Sequence, residues 1–410
     1  MDRSAAVNPV RMMKILVIDE EFPVPLNSGK RIRTFNLYRE LSKSNEVSYL
    51  AYGDARTDAG RVLRENNIKP FSVPKPDRTQ AGIRFYVRLF LNLFSRYPYI
   101  VTSHYTKAFK RAFSRLIEEN QYDIIICEWT PYAMFIKDLS FPKKVIVTHN
   151  VESRIWRRYR DTESNSVKKI YIAIQYKKIL AFEKKCFKWA DGVTAVSKDE
   201  ASVIREFDFG GQLEVIENGV DIDYFRPLDT AIDPDMLVTT GSMDWRPNQD
   251  AAVFFATEIF PIIKQINSQV RATFIGRNPP GKIRGLEKID GITIVGTVDD
   301  VRPYIAEAAL FIVPLRVGGG TRLKILEALA MKKAVVSTTV GAEGLMVTDN
   351  RNIILADDKK QFADAVIRCL EDYSLRSRLG EEGRILVEKH YCWRDLGRKL
   401  NDFLESIVNS

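Results

Sequence analysis

Cysteine and histidine are scarce in this 410-residue chain, which holds four cysteines and three histidines. The cysteines are scattered, and no two of them form a C-x-x-C pair. This spacing argues against a zinc site and against a disulfide framework, and it is typical of a protein from a reducing compartment. Because histidine is so rare, a histidine-rich metal centre is not expected either.

Long apolar runs are also missing. No run approaches the roughly 18 to 20 uninterrupted apolar residues that a membrane-spanning helix needs. The opening stretch, MDRSAAVNPVRMMK, lacks the apolar core of a signal peptide. We therefore expect a cytoplasmic protein whose contact with a membrane would be peripheral, on the inner face.

Acidic residues are absent from residues 82–115, which hold seven Lys and Arg residues, and residues 154–189 hold eleven against three acids. These two segments carry a net charge of +15, whereas the whole chain carries +9. Their cations alternate with aromatic and aliphatic residues, as in helices that lie at a bilayer surface, so an anionic membrane is an expected partner. Two ordinary helices with solvated basic faces remain the alternative. Nucleic acid is not expected, because RNP-type, zinc-finger and helix-turn-helix signatures are missing.

Short apolar runs separated by segments of helical periodicity, such as residues 30–43 and 248–266, make up most of the chain. Such runs predict parallel strands covered on both faces. Eleven of them exceed one comfortable sheet, so we predict an α/β protein with two Rossmann-like domains. The predicted strands are KILVID, VSYLAY, DIIICE, KVIVTHN, GVTAVS, MLVTTGS, ATFIG, ITIVG, LFIVP, AVVST and NIILA.

The break between the domains falls in VIENGVDIDYFRPLDTAIDPDM, where Asn218-Gly219 signals a turn and two prolines follow. The predicted organisation is an N-terminal domain over 13–217, a linker over 218–234, a C-terminal domain over 235–385 and a C-terminal amphipathic helix within 386–410. Ligands of open parallel sheets bind at the carboxyl ends of the strands, so the active site is expected in a cleft between the domains.

Three consecutive glycines, Gly318 to Gly320, stand between the strand LFIVP and a helical run that contains Arg322 and Lys324. Neither the G-x-x-x-x-G-K-[ST] pattern nor the G-x-G-x-x-G pattern is present. Backbone N–H groups and the macrodipole at a helix N-terminus nevertheless favour an anion. The segment therefore predicts a site for a phosphate-bearing ligand.

The two-domain pattern, ENGVDIDYF at the junction, GSMDWRPNQDA and the GGGTRLKILEALAMKKAVVST helix together resemble the retaining GT-B glycosyltransferases of family 4, especially bacterial transferases of exopolysaccharide systems. The resemblance covers Lys14 to about Phe403. It implies two domains that face each other across a cleft, and a C-terminal helix that crosses back to the N-terminal domain.

The resemblance also implies the donor-binding residues. The second glutamate of the family's Glu-x7-Glu motif, which holds the ribose, falls on Glu327, whereas the first falls on Gly319 and is missing. Backbone N–H groups of Gly319, Gly320 and Thr321 would receive the diphosphate, with Arg322 or Lys324 neutralising it. After the first strand of the C-terminal domain, Ser242 follows Gly241 at the place of the usual arginine, and Arg246 is the candidate substitute. Val298 would pack on the base.

On the N-terminal side, the resemblance implies an acceptor-side loop with Gly29, Lys30 and Arg31, and Arg33 on the next helical face. His149, at the end of a strand, is the candidate catalytic residue that approaches the donor sugar. The family's following Asp is Asn150 here, and Glu152 is a candidate polar substitute. A structural role for each of these residues is the alternative.

The implied activity is the transfer of a hexose from a nucleotide-diphosphate sugar to a hydroxyl of a glycan or lipid-linked acceptor with retention of configuration, in surface polysaccharide or glycolipid synthesis. No metal ion and no other cofactor is expected, and a front-face mechanism is favoured because no protein nucleophile is evident. Two alternatives stay open. One is another GT-B enzyme, an epimerase or a phosphorylase, although no lysine site for pyridoxal phosphate is identifiable. The other is a non-enzymatic protein that binds anionic membranes or nucleic acid.

Overall fold

The computed structural model describes residues 12–76, 82–317 and 323–410. The chain divides into two compact units: the first runs to Glu217 and includes Leu396–Ser410, and the second is Asn218–Asp395. Each unit is built on its own parallel sheet with helices along it. This architecture confirms the α/β fold with two Rossmann-like domains.

The first unit holds a seven-stranded parallel sheet with the strand order β3-β2-β1-β4-β5-β6-β7. Its inner strands β1 and β4 are short and apolar, as the sequence predicted. The edge strands β3 and β7 were not predicted, because a strand at the edge of a sheet is covered less completely and its sequence, IKPFSV or QLEV, contains polar residues. The strands are β1 Lys14–Ile18, β2 Glu46–Tyr52, β3 Ile68–Val73, β4 Ile124–Cys127, β5 Lys143–Val147, β6 Gly192–Ala195 and β7 Gln212–Val215.

Eight α-helices accompany this sheet within the described part of the first 217 residues, and short 3₁₀ turns follow β4 and α7, at Thr130–Phe135 and Phe187–Trp189. Helix α1 starts where the Ser28 side chain accepts the N–H of Arg31. The helices are α1 Gly29–Leu41, α2 Asp58–Glu65, α3 Ile83–Asn92, α4 Tyr99–His104, α5 Lys107–Glu119, α6 Glu152–Thr162, α7 Ser166–Cys186 and α8 Lys198–Arg205.

The second unit holds a six-stranded parallel sheet with the order β10-β9-β8-β11-β12-β13. Every residue of the central strand β11 is buried, as expected for a parallel strand with helices on both faces. The strands are β8 Asp233–Thr240, β9 Arg271–Ile275, β10 Ile292–Val295, β11 Ala308–Val313, β12 Val335–Ser337 and β13 Ile354–Leu355.

The helical run predicted over 248–266 is interrupted. A π turn at Phe255–Ile259 separates its two α-helices, just before Pro261, which has no N–H to continue the regular hydrogen-bond pattern. A 3₁₀ turn, Gly285–Lys288, precedes β10. The helices are α9 Arg246–Phe254, α10 Phe260–Ile266, α11 Gly281–Arg284, α12 Arg302–Glu307, α13 Leu323–Ala330, α14 Lys359–Glu371, α15 Tyr373–His390 and α16 Trp393–Val408.

The last helix, α16, joins the first unit from Leu396 onward. Its Leu400 and Leu404 are buried, and the Asn401 side chain accepts a hydrogen bond of 2.8 Å from the amide of Asn45. Ile407 lies so close to β6 that a Cβ on Gly192 would come within 2.2 Å of its Cδ1 atom. The C-terminal segment is therefore part of the packing of the first unit. Within the described residues, no helix has both the length and the apolar character needed to span a membrane.

Candidate active site

At the carboxyl edge of the second sheet, the backbone of Gly241 is approached closely by a lysine. A Cβ on Gly241 would lie 2.7 Å from Nζ of Lys324 and 2.9 Å from Nδ2 of Asn248, and its φ of +144° lies in a region that favours glycine. Glycine at the end of β8 therefore makes room for a cation at the sheet edge. Two predicted donor-site residues, Gly241 and Lys324, are brought together here.

Asn248 positions this lysine. Nζ of Lys324 donates to Oδ1 of Asn248 at 3.0 Å, and Nδ2 of Asn248 donates to the carbonyl of Ser242 at 2.8 Å. Asn248 is buried on the first turns of α9 and so links the start of α13 to the end of β8. Sequence reasoning did not single out Asn248, although it stands inside the GSMDWRPNQDA motif.

Ser242, which stands where the resemblance expects an arginine, binds an arginine that lies just after the neighbouring strand β9. Its Oγ accepts from Nε of Arg277 at 2.6 Å and donates to Oδ1 of Asp244 at 2.6 Å. Arg277 follows β9 and thus supplies a cation at the same sheet edge, which the sequence analysis did not predict. Arg246, the predicted substitute, is an exposed residue at the start of α9.

Glu327 follows Lys324 by about one turn of α13 and is half buried. Burial raises the pKa of its carboxyl group to about 7, against the opposing effect of the Lys324 charge. The helix thus presents a cation and a titratable carboxylate at (i, i+3), on neighbouring positions of one face. Val298 is half buried and packs against the core of the second unit.

The remaining donor-site predictions fall on the glycine run. Gly319, Gly320, Thr321 and Arg322 lie outside the described residues. Their assignment to the diphosphate stays a prediction.

At the carboxyl edge of the first sheet, two buried carboxylates follow adjacent strands. Asp19 follows β1 and Glu128 follows β4, and each residue is 1% exposed. Lys30 of α1 places Nζ 2.7 Å from Oδ1 of Asp19 and 2.9 Å from Oε1 of Glu20. Burial raises the pKa of Asp19 to about 7 despite the nearby lysine. Lys30, predicted to face a ligand, is thus held by two carboxylates.

His149 and Glu128 form a second pair at this edge. Nε2 of His149 lies 3.1 Å from Oε1 of Glu128 and 3.0 Å from its carbonyl oxygen. Both neighbours are acceptors, so the ring proton belongs on Nε2, and Nδ1 is an acceptor when the ring is neutral. Burial lowers the pKa of His149. Burial alone would raise the pKa of Glu128, but hydrogen bonds from His149, Tyr38 and Thr34 lower it overall.

Glu152, the first residue of α6, also lies in this buried region. Its Oε1 accepts from the indole N–H of Trp129 at 2.8 Å, and burial raises its pKa. Its backbone N–H donates to Glu183, whose carboxylate also accepts the N–H of Ser153 and so caps α6. Burial raises the pKa of Glu183 to about 8.

The arginines among the other acceptor-side predictions contact protein groups. Gly29 is the first residue of α1, and Arg31 makes a two-pronged contact with the carboxylate of Glu21. Arg33 is buried and donates to the carbonyl of Glu217 at 2.6 Å. The described residues contain no group of three or more His, Cys, Asp or Glu side chains arranged to hold a metal ion.

Two protein-family models match this chain, one in each unit for most of its length. Residues 28–224 match the family model "Glycosyltransferase Family 4", and residues 234–372 match "Glycosyl transferases group 1". A relative from Klebsiella pneumoniae, described as an uncharacterized 44.6 kDa protein in the cps region, is 22% identical over 93% of this chain and 97% of its own length.

Solved structures share the fold at low sequence identity. Sucrose-phosphate synthase from Thermosynechococcus elongatus has a TM-score of 0.72 at 18% identity, covering 96% of this chain and 99% of that chain. Anabaena Alr3699/HepE, solved in complex with UDP and glucose, has a TM-score of 0.65 at 14% identity, covering 96% and 100%. This chain therefore has the GT-B fold and carries the two domains of a glycosyltransferase, a family 4 domain followed by a group 1 domain.

Proposed function

We propose that this glycosyltransferase moves a hexose from a nucleotide-diphosphate sugar to an acceptor hydroxyl with retention of anomeric configuration. The observation that carries the proposal is the pairing of Lys324 and Glu327 on α13, with the lysine ammonium held against Gly241 at the edge of the second sheet. A cation and a carboxylate one turn apart suit a diphosphate and a vicinal diol.

The donor roles follow from the chemistry of these groups. Lys324, fixed by Asn248, would neutralise diphosphate charge as the bond to the sugar breaks. The ionised Glu327 would accept hydrogen bonds from two ribose hydroxyls. The HepE structure, solved with UDP and glucose, supports a nucleotide-sugar donor.

In the first unit, His149 and its partner Glu128 are the groups we assign to the sugar side of the reaction. With its proton on Nε2, the neutral ring offers Nδ1 as an acceptor to a sugar hydroxyl. We infer a front-face displacement in which a leaving phosphate oxygen takes the proton of the attacking hydroxyl. No metal or other cofactor is part of this proposal.

The acceptor we propose is a glycan or lipid-linked hydroxyl compound in surface polysaccharide or glycolipid synthesis, reached at the inner face of a membrane from the cytoplasm. The Klebsiella relative supports this role, since it is described as a protein of the cps region. The basic segments 82–115 and 154–189 support contact with anionic lipid.

A donor panel tests the function. Purified protein is incubated with a set of nucleotide-sugars, and their slow hydrolysis is followed by chromatography. One or a few donors should be consumed, giving the nucleoside diphosphate and free sugar. NMR of the product formed with a simple alcohol acceptor should show the anomeric configuration of the donor. Interconversion of nucleotide-sugars without release of diphosphate would indicate the epimerase alternative. If no nucleoside diphosphate stabilises the protein in a thermal shift assay, the result would favour the alternative of a non-enzymatic binding protein.

A further inference from the structure

Helix α3 exposes an apolar face that the described residues leave uncovered. Its side chains are between 49% and 82% exposed and stand at i, i+4, i+7, i+8 and i+11, which is one side of a helix. We call this the α3 face. It consists of Ile83, Val87, Phe90, Leu91 and Phe94, the last just beyond the end of the helix.

Polar contacts attach the C-terminal end of this helix to α7. Asn92 is buried, and its Oδ1 accepts from Nε2 of Gln175 on α7 at 3.0 Å. Nζ of Lys178 donates to the carbonyls of Asn92 at 2.6 Å and Leu93 at 3.0 Å. The usual arrangement of a surface helix, with apolar residues inward and polar residues outward, is thus reversed at this end of α3. Contiguous exposed apolar surface of this kind marks an interaction site.

The Lys and Arg residues on the segment that carries the α3 face are not accompanied by any acidic residue. Arg84 and Arg96 are exposed on the same segment, and no acidic residue occurs between residues 82 and 115. At the start of α7, Val167 and Ile170 are 78% and 64% exposed, and Lys168 and Lys169 stand between them. Apolar side chains flanked by cations complement an anionic lipid surface, where the apolar groups enter the headgroup boundary and the cations meet phosphates.

We propose that the α3 face is the membrane-docking element of the protein and inserts into the headgroup region of an anionic bilayer. This inference rests on the proposed function, because it identifies the part of the protein that makes the proposed membrane contact. It does not depend on which sugar is transferred. It also means that binding depends on insertion of the apolar side chains into the bilayer and not only on attraction between basic residues and anionic lipid.

Sedimentation of the full-length protein with vesicles tests the inference. Vesicles of phosphatidylcholine alone are compared with vesicles containing phosphatidylglycerol at low salt. The variant Phe90→Ser/Phe94→Ser should lower binding to anionic vesicles at least tenfold, and Arg84→Glu/Arg96→Glu should lower it several-fold. The matched controls are Phe141→Ser, an equally apolar exposed site outside α3, and Lys288→Glu in the second unit; both should bind like the parent.

Three results would overturn the proposal: equal binding of the Phe90→Ser/Phe94→Ser variant and the parent, equal binding to neutral and anionic vesicles, or a concentration-dependent dimer that the same variant abolishes while vesicles are ignored. Donor hydrolysis by soluble protein is measured in parallel and should be the same in all variants. Vesicle binding without any donor hydrolysis would refute the proposed function and leave the docking element standing.

Discussion

The imidazole Nε2 of His149 lies 3.1 Å from the carboxylate of Glu128, which is buried at the end of the neighbouring strand and also accepts a hydrogen bond from Thr34 at 2.7 Å. The buried carboxylate fixes the ring through one nitrogen. Glu128 therefore acts on the reaction through His149. A substitution that removes the charge of Glu128 but keeps its shape tests this role.

We expect Glu128→Gln to reduce kcat for donor hydrolysis with little change in KM. A charge-assisted hydrogen bond contributes about 1.5 to 3 kcal/mol, so the loss should be roughly tenfold or more. Since the Glu128 charge raises the pKa of His149, the variant should also shift any histidine-dependent limb of the pH profile to lower pH. Steady-state kinetics across pH measure both effects. When Glu128→Gln is added to a protein that already carries His149→Ala, kcat should fall little further. If the two substitutions reduce kcat by fully additive amounts, the two residues are not coupled.

Lys324→Ala should weaken the binding of nucleoside diphosphates and of pyrophosphate alike, by roughly tenfold or more, because a charge-assisted contact is lost. Asn248→Ala should produce a smaller loss of the same kind, since it frees the lysine without removing it. Isothermal titration calorimetry measures the affinities. The substitution Arg246→Ala is a useful comparison because that residue is exposed on the same helix as Asn248. If Lys324→Ala binds both ligands like the parent, the lysine has no role at the diphosphate.

Binding of a nucleoside diphosphate should strengthen between pH 6 and pH 8 because of Glu327. Its pKa is raised to about 7, so the carboxylate is mostly protonated at pH 6 and mostly ionised at pH 8, and only the ionised form accepts hydrogen bonds from both ribose hydroxyls. Glu327→Gln should lose this part of the pH dependence and bind several-fold more weakly at pH 8. Affinity for pyrophosphate should differ little between the two proteins. An equal loss for both ligands would mean that Glu327 supports the helix instead of the ribose.

Ionisation of Glu183 should make stability fall as pH rises. The pKa of this carboxyl group is about 8 in the folded protein against an ordinary value of 4.5, so the folded state holds the proton more tightly, and the penalty grows from about pH 4.5 and is complete above pH 8. Glu183→Gln keeps one of the two acceptor oxygens at the N-terminus of α6 and cannot ionise. Its stability relative to the parent should therefore improve by a few kcal/mol between pH 5 and pH 8. Urea unfolding at both pH values measures this. Parallel pH dependences in the two proteins would show that the group does not titrate in this range.

Gly276→Ala should destabilise the second unit by roughly 1 to 3 kcal/mol or more, because overpacking at a fixed backbone cannot be relieved by a rotamer change. A Cβ at this position would lie 1.8 Å from the carbonyl oxygen of Gly241. Gly296→Ala is the matched control, since no atom lies within 4 Å of the Cβ it would add. Thermal unfolding compares the two, and equal melting temperatures would contradict the close approach of β8 and β9.

The fold could be predicted from the sequence because most strands are short apolar runs that only a doubly covered parallel sheet explains. The exceptions, β3 and β7, are edge strands whose polar residues give no such run. Gly241 and Lys324 could be predicted to share a site through the resemblance, but Asn248 could not, since an amide that positions a lysine has no sequence signature of its own. Asp19 and Glu128 were within reach, because each is the last residue of a predicted strand, KILVID and DIIICE.

Helix α16 has a consequence for how the chain folds during synthesis. Domains generally fold as units as they leave the ribosome, the N-terminal one first. Here the first unit lacks Leu400, Leu404 and Ile407, all buried in its packing, until residues 396–410 have been made. The second unit, which ends at Asp395, is therefore synthesised completely before the first unit is complete. Until then, the apolar surface of the first unit that α16 covers stays exposed to solvent.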